Sequence, residues 1–281
     1  MRFSMVDVFV NGPFSGNPVA VALDADEMDP ALFPQITQWF NFSETTFLLK
    51  PTHPEADYRA RIFTLEREMP FAGHPTLGSC QAWLSAGGKP KREDVVVQEC
   101  GAGLVEIRRD ASDPHLLSFK APPLIKSGPV DEAELDEIVA ALGIDRARIV
   151  AASWADNGPG GIASLRDSAE TVLKVQPTRH YPRRLDVGLV GPHPMGHEIN
   201  YELRAFFSDQ HGALLEDPVT GSLNASVAQW LKSMGRVEGG YRAAQGTCIG
   251  REGRIEIEFR GDETWVGGHV KTVFSGSGSV G

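Results

Sequence analysis

Four side chains of the 281-residue sequence pair proton-carrying or hydrogen-bonding chemistry with places where the chain must turn: Glu44, His74, Asp217 and Ser222. His74 and Ser222 lie in two glycine-containing segments, Ala72-Gly73-His74-Pro75-Thr76 and Thr220-Gly221-Ser222-Leu223, each leading into a run of helical character. A helix start presents N–H groups with no intrahelical acceptor and about half a positive charge, so it suits a carboxylate or the negative charge of a transition state. A carboxylic acid near such donors can take a proton from carbon and return it while the helix holds the anion. Taken singly, each residue also has an ordinary structural role. Glu44 reads as a solvated carboxylate at a strand start, His74 as a helix-start side chain, Asp217 as a turn former before Pro218 and Ser222 as a first-turn residue. Spacing alone leaves both readings open.

The elements that would position these groups are legible in the pattern. Phe3–Val10 and Pro18–Leu23 are β-type runs joined through Asn11-Gly12-Pro13 and Gly16-Asn17-Pro18, which predicts a hairpin. Asp29 and Pro30 start a helix carrying Leu32, Phe33, Ile36, Trp39 and Phe40 at helical spacing. Thr45–Leu49 and Tyr58–Thr64 return to strand, and Thr76–Ala86 reads as a buried helix closed by Gly87-Gly88. Later, Asp131 and Glu134 open a helix that Gly143 ends, and Ala147–Trp154 is β-type. Tyr201, Arg204 and Phe206 repeat the spacing of Tyr58, Arg61 and Phe63 with an offset of 143, and Gly221 to Gly235 repeats Gly73 to Gly87 with an offset of 148. Two blocks in one order point to an internal duplication. The second central helix then spans Leu223–Ser233. The halves divide at Lys120 to Gly128, giving 1–120 and 121–281, with the last strand near 268–275 joining the first half. The Gly/Ser-rich Ser275 to Gly281 reads as a flexible tail.

Bulk properties exclude several classes. A net charge of −10, with 27 scattered Lys and Arg, leaves no basic footprint for nucleic acid. No apolar run approaches a membrane span, so a soluble cytoplasmic protein is expected. Cys80, Cys100 and Cys248 are odd in number and widely spaced, which suits reduced thiols better than disulfides or zinc. No metal or nucleotide signature is present, and neither metal nor cofactor is expected.

Longer blocks carry a resemblance. Val6-Asp7-Val8-Phe9 followed by Gly12-Pro13-Phe14-Ser15-Gly16-Asn17-Pro18-Val19-Ala20-Val21, then Phe42-Ser43-Glu44-Thr45-Thr46-Phe47, resemble the opening and the catalytic segment of the PhzF-like family of phenazine biosynthesis. Arg61-Ile62-Phe63-Thr64, Glu68-Met69-Pro70-Phe71-Ala72-Gly73-His74-Pro75, Asn157-Gly158-Pro159, Glu216-Asp217-Pro218-Val219-Thr220-Gly221-Ser222 and Gly267-Gly268 follow in the family's order, over nearly the whole chain. The resemblance implies an α+β, diaminopimelate epimerase-like fold: two pseudo-symmetric halves, each a curved, mostly antiparallel sheet wrapped around a central helix. It also implies a homodimer and a cofactor-free isomerase acting on a small carboxylate-bearing substrate in an interdomain cleft. By the same resemblance Glu44 moves the proton, and His74 and Asp217 position the substrate's polar groups. Ser43, Ser222 and the N–H groups of Gly73 and Gly221 bind it.

A Glu44 enclosed by Asp217 and by apolar groups such as Phe71 would have a raised pKa and serve both proton steps. A thiol racemase on the same fold would need a cysteine at each central-helix start, where this chain has Ala72 or Gly73 and Asp217. A non-catalytic binding protein is the other alternative, and the intact set of Glu44, His74, Asp217 and Ser222 weighs against it. Asp209, Gln210, His211 and Leu223-Asn224-Ala225-Ser226 depart from phenazine-pathway members and leave the substrate unassigned.

Overall fold

The computed structural model describes residues 1–158 and 161–279, so Pro159 of the Asn157-Gly158-Pro159 segment and the last two residues of the tail lie outside the described residues. The chain forms two compact units, 1–120 with 267–281 and 121–266. Among the described residues no helix is long and apolar enough to cross a membrane.

In the first unit the strands β1 (Arg2–Val8) and β2 (Asn17–Leu23) form the antiparallel hairpin. A 3-10 turn, whose start Asp29 caps by accepting from the Ala31 N–H, leads into α1 (Phe33–Phe40). Phe33 and Thr37, four residues apart, form its buried face, with Phe33 stacked 4.0 Å from Phe47. Trp39, expected on that apolar stripe, is 82% exposed, because two residues past Thr37 is the opposite side of the helix. Then come β3 (Glu44–Leu49), β4 (Tyr58–Thr64), β5 (Glu68–Met69), α2 (Gly73–Ser85), β6 (Val95–Cys100), β7 (Gly103–Arg109) and β8 (Leu116–Lys120). β2 and β3 run parallel, β3 and β4 antiparallel, β4 and β6 parallel, and β6, β7 and β8 antiparallel in turn. α2 touches β1, β2, β3, β4, β6 and β8, so the sheet curls around it. That enclosure explains its composition: Gly73 through Ala82 are all buried, and small residues let strands approach from several sides.

The second unit repeats the plan. It contains β9 (Lys126–Pro129), α3 (Glu132–Leu142), β10 (Ile149–Asp156), β11 (Ile162–Arg166), α4 (Ala169–Leu173), β12 (Asp186–Pro192), β13 (Tyr201–Ser208) and β14 (Leu214–Asp217). α5 (Gly221–Ser233), β15 (Tyr241–Gln245) and β16 (Gly253–Arg260) follow, and β17 (Glu263–Ser277) starts in the second unit and belongs to the first from Gly267 onward. As the capping pattern predicts, Asp131 accepts from the Glu134 N–H and Gly143 closes α3 in the left-handed region. β11 and β12 are parallel, β12 and β13 antiparallel, and β13 pairs parallel with β15 and antiparallel with β14. Strand for strand these are the relations of β2, β3, β4, β5 and β6, and the whole is an α+β, diaminopimelate epimerase-like fold with two pseudo-symmetric halves.

Three expectations need correction. α2 begins at Gly73 and α5 at Gly221, earlier than Thr76 and Leu223, so His74 and Ser222 sit on first helical turns; Pro75 is accepted there because first-turn N–H groups need no intrahelical partner. The β-type run expected at Ala147 starts at Ile149, after a 3-10 turn capped by Asp145. The expected tail is instead structured through Ser277: β17 pairs antiparallel with β1, setting Ser275, Gly276 and Ser277 opposite Ser4, Phe3 and Arg2.

Candidate active site

In the first unit, Glu44 opens β3 directly after Ser43, opposite Thr64 of β4. Its side chain is 17% exposed, and Oε2 lies 3.4 Å from Nε2 of His74 on the first turn of α2. His74 is 3% exposed. Burial pushes its pKa down to about 3, against a smaller upward pull from the Pro18 carbonyl, so the ring is neutral near pH 7. The contact with Glu44 is therefore a close approach of a carboxylate to a neutral imidazole rather than an ion pair. On the other ring edge Asn17, the fully buried first residue of β2, places Nδ2 3.3 Å from Nδ1. α2 starts from Ala72, which has no side-chain acceptor for the first-turn N–H groups. The structure thus brings Glu44, His74 and Gly73 together, with Phe71 buried beside them and packed 5.5 Å from the Phe119 ring.

In the second unit, Asp217 ends β14, and its Oδ2 accepts from the Thr220 hydroxyl at 2.5 Å. Gly221 and Ser222 form the first turn of α5, which also lacks a side-chain cap. The Ser222 carbonyl accepts from Asn157 Nδ2 and from the Ser226 hydroxyl, each at 2.9 Å. Asn157 therefore pins the α5 start from the β10 end. Asp217, Gly221 and Ser222 gather at one helix start, as Glu44, His74 and Gly73 do at the other.

Sequence reasoning gave Asn157 no role beyond its motif and passed over Asn17, Thr220 and Gln245. For Asn17 a signal existed: a polar residue at the first position of a Val-rich strand, four residues after Pro13, is a candidate for burial with a partner. Nothing in the spacing marks Gln245.

The thiols are poorly placed for racemase chemistry. Cys80 is fully buried in the middle of α2 and desolvation drives its pKa far above the ordinary thiol range. Cys248 lies in a 3-10 turn with its thiol donating to the Leu173 carbonyl, and burial raises its pKa also. A cavity of about 470 Å³ in the second unit, lined by Trp154, Trp230, Met234 and Gln229, sits at the far end of α5 and has no ionisable lining group. It lacks the means for proton transfer, whatever its size.

Comparison with known proteins agrees with the fold and the family. The family described as phenazine biosynthesis-like protein matches residues 6–276. The chain is 34% identical to antisense-enhancing sequence 1 of Schizosaccharomyces pombe, covering 99% of this chain and 98% of that one. It is 30% identical to the trans-2,3-dihydro-3-hydroxyanthranilate isomerase of Pseudomonas fluorescens, over 91% and 92% of the two chains. A phenazine biosynthesis protein of the PhzF family from Enterococcus faecalis superposes with a TM-score of 0.79 at 24% identity, over 100% of each chain. A hydroxyproline epimerase from Agrobacterium vitis superposes with a TM-score of 0.59 at 14% identity, over 98% and 91%, which shows the shared fold.

Proposed function

The chain belongs to the phenazine biosynthesis-like protein family and is an isomerase, and from that premise we propose that Glu44 is its single acid/base, moving a proton between carbons of a small carboxylate-bearing substrate. The observation that supports this reading best is the Glu44 carboxylate set 3.4 Å from a buried imidazole whose pKa is only about 3. A neutral His74 does not compete with Glu44 for the substrate proton and serves as a hydrogen-bond partner in both steps.

The steps balance without a further reagent. The Glu44 carboxylate accepts a proton from an acidic carbon, the electron pair delocalises into the unsaturated system, and protonated Glu44, whose proton exchanges with solvent, delivers a proton to another carbon of that system. Negative charge in the intermediate is met by uncapped N–H groups at the start of α2. The reading therefore calls for no organic cofactor. Asp217 and Ser222, with the Gly73 and Gly221 N–H groups and Ser43, are assigned to substrate binding. The substrate's carboxylate and unsaturation follow from this chemistry; trans-2,3-dihydro-3-hydroxyanthranilate, named for the Pseudomonas fluorescens relative, is the first compound to try.

The test uses deuterated water, with that compound and a panel of β,γ-unsaturated carboxylates, and follows deuterium incorporation and isomer formation. Glu44→Gln keeps shape but cannot carry a proton, so turnover drops by about 100-fold to 10,000-fold with KM little changed. Cys80→Ala and Cys248→Ala leave it nearly intact. A fully active Glu44→Gln enzyme removes Glu44 from the mechanism.

A further inference from the structure

Gln245, the last residue of β15, is completely buried. Its Oε1 accepts from the Thr220 N–H at 3.1 Å and from Asn224 Nδ2 at 2.8 Å, while Nε2 donates to the Thr220 hydroxyl oxygen at 3.0 Å and to the Asp217 carbonyl at 3.2 Å. Both amide protons and both lone pairs are used. Turning the amide over would set its oxygen against the Asp217 carbonyl and its protons against two N–H donors, so a single orientation satisfies the site. With Nε2–H directed at the Thr220 oxygen, the hydroxyl proton goes to Asp217 Oδ2, at 2.5 Å. Donor and acceptor are thus fixed at every link from Gln245 through Thr220 to the carboxylate.

The backbone around this arm is shaped to the same end. Gly246, next in the chain, has φ +82°, and a Cβ there would stand 2.5 Å from the Pro218 carbonyl. A Cβ on Gly253 would stand 2.2 Å from Cγ2 of the buried Val219. The Asp217–Thr220 segment is therefore seated closely against the ends of β15 and β16.

The first unit shows what a purely structural version looks like. Gln98, on β6, is also fully buried, and its Nε2 donates to the Thr76 hydroxyl at 3.0 Å, but that hydroxyl donates to the Ala72 carbonyl and Gln98 Oε1 accepts from Tyr58. There the relay ends on backbone and secures the helix start. In the second unit it ends on a carboxylate oxygen.

From this contrast we infer that Gln245 and Thr220 form a positioning arm that aims the Asp217 carboxylate at the substrate. This rests on the reading of Asp217 as a substrate-binding residue. The arm acts through Asp217, and neither Gln245 nor Thr220 touches the reacting atoms.

The test follows the Asp217 carboxyl carbon in protein labelled with [γ-13C]aspartate, the resonance being identified by its loss in Asp217→Asn. A hydroxyl donating to a carboxylate favours the charged form, so Thr220→Val, which keeps shape and loses the donor, moves the titration midpoint up by about one pH unit. Thr220→Ser restores the wild-type midpoint, and Gln245→Met shifts it in the same direction as Thr220→Val. A midpoint unchanged in Thr220→Val overturns the arm. Should that variant not fold, the wild-type protein decides: a slowly exchanging Thr220 hydroxyl resonance is expected at neutral pH and is lost as Asp217 protonates, and no such resonance overturns the arm as well. The substrate role is separate: Asp217→Asn exchanging solvent deuterium at the wild-type rate sinks that reading even if the midpoints move.

Discussion

At the scale of single residues, the sequence shows which groups are chemically capable but not their charge state. Glu44 and His74 were legible from motif order; that His74 is neutral follows from its enclosure, which depends on β1, β2 and β3 closing over α2. A pH dependence follows. The unfolded imidazole protonates near 6.5 and the folded one at about 3. Between these values the unfolded chain holds a proton that the folded chain does not. The stability associated with neutral His74 is therefore fully present above pH 6.5 and is lost as pH falls toward 3, by at most about 4 to 5 kcal/mol. Unfolding free energies from urea titrations between pH 3.5 and 7 should show it: in His74→Gln the slope against pH falls by close to one proton. Equal slopes in both proteins would mean that His74 is not held neutral. Asn17 was missed for the same reason, since its partner lies 57 residues away on another element.

At the scale of elements, the duplication read from spacing carries a physical device. In each unit the arginine of the repeated Tyr-x-x-Arg-x-Phe pattern makes a two-pronged pair with a glutamate on the adjoining short strand and lies over the phenylalanine ring: Arg61 with Glu68 and Phe63, Arg204 with Glu216 and Phe206. The partner follows 7 residues later in the first unit and 12 in the second. That difference matches the change in repeat offset from 143 to 148, so the extra residues fall between Phe207 and Glu216, in the β13–β14 connection and the strand ends beside it. Spacing revealed the arginines, but the unequal loops hid their partners. Environment makes the two pairs unequal: Arg204 and Glu216 are 5% and 9% exposed, Arg61 and Glu68 30% and 43%. Glu216→Ala leaves a buried guanidinium without its carboxylate and should cost about 3 to 5 kcal/mol, whereas Glu68→Ala should cost about 1 kcal/mol or less. Thermal and denaturant unfolding of the two variants decides it, and equal losses would mean that burial does not separate the pairs.

At the scale of the whole molecule, pairing overrides composition, and the C-terminal strand is the clearest case. Ser275, Gly276 and Ser277 have a linker's side chains, yet β1 offers them backbone partners, and the register runs from Val8 opposite Val270 to Arg2 opposite Ser277 with one irregularity at Met5 and Val6. Local composition could not show this because the partner strand lies at the opposite end of the sequence, where the N–H and carbonyl of Met1 also bond to Gly278. Val270 is completely buried and its N–H reaches the His115 carbonyl, so this strand completes the first unit rather than decorating it. Amide hydrogen exchange measures the consequence directly. The amides of Val270 and Thr272 should be protected to about the same degree as those of Val6 and Val8, since a strand bonded on its edge opens only with its neighbours. A chain ended at Val266 should lose the protection of β1 and β2 together, while the amides of α3 and β12 in the second unit keep theirs. Rapid exchange at Val270 and Thr272 in the intact protein, or unchanged protection of β1 after truncation, would mean that this strand does not complete the first unit.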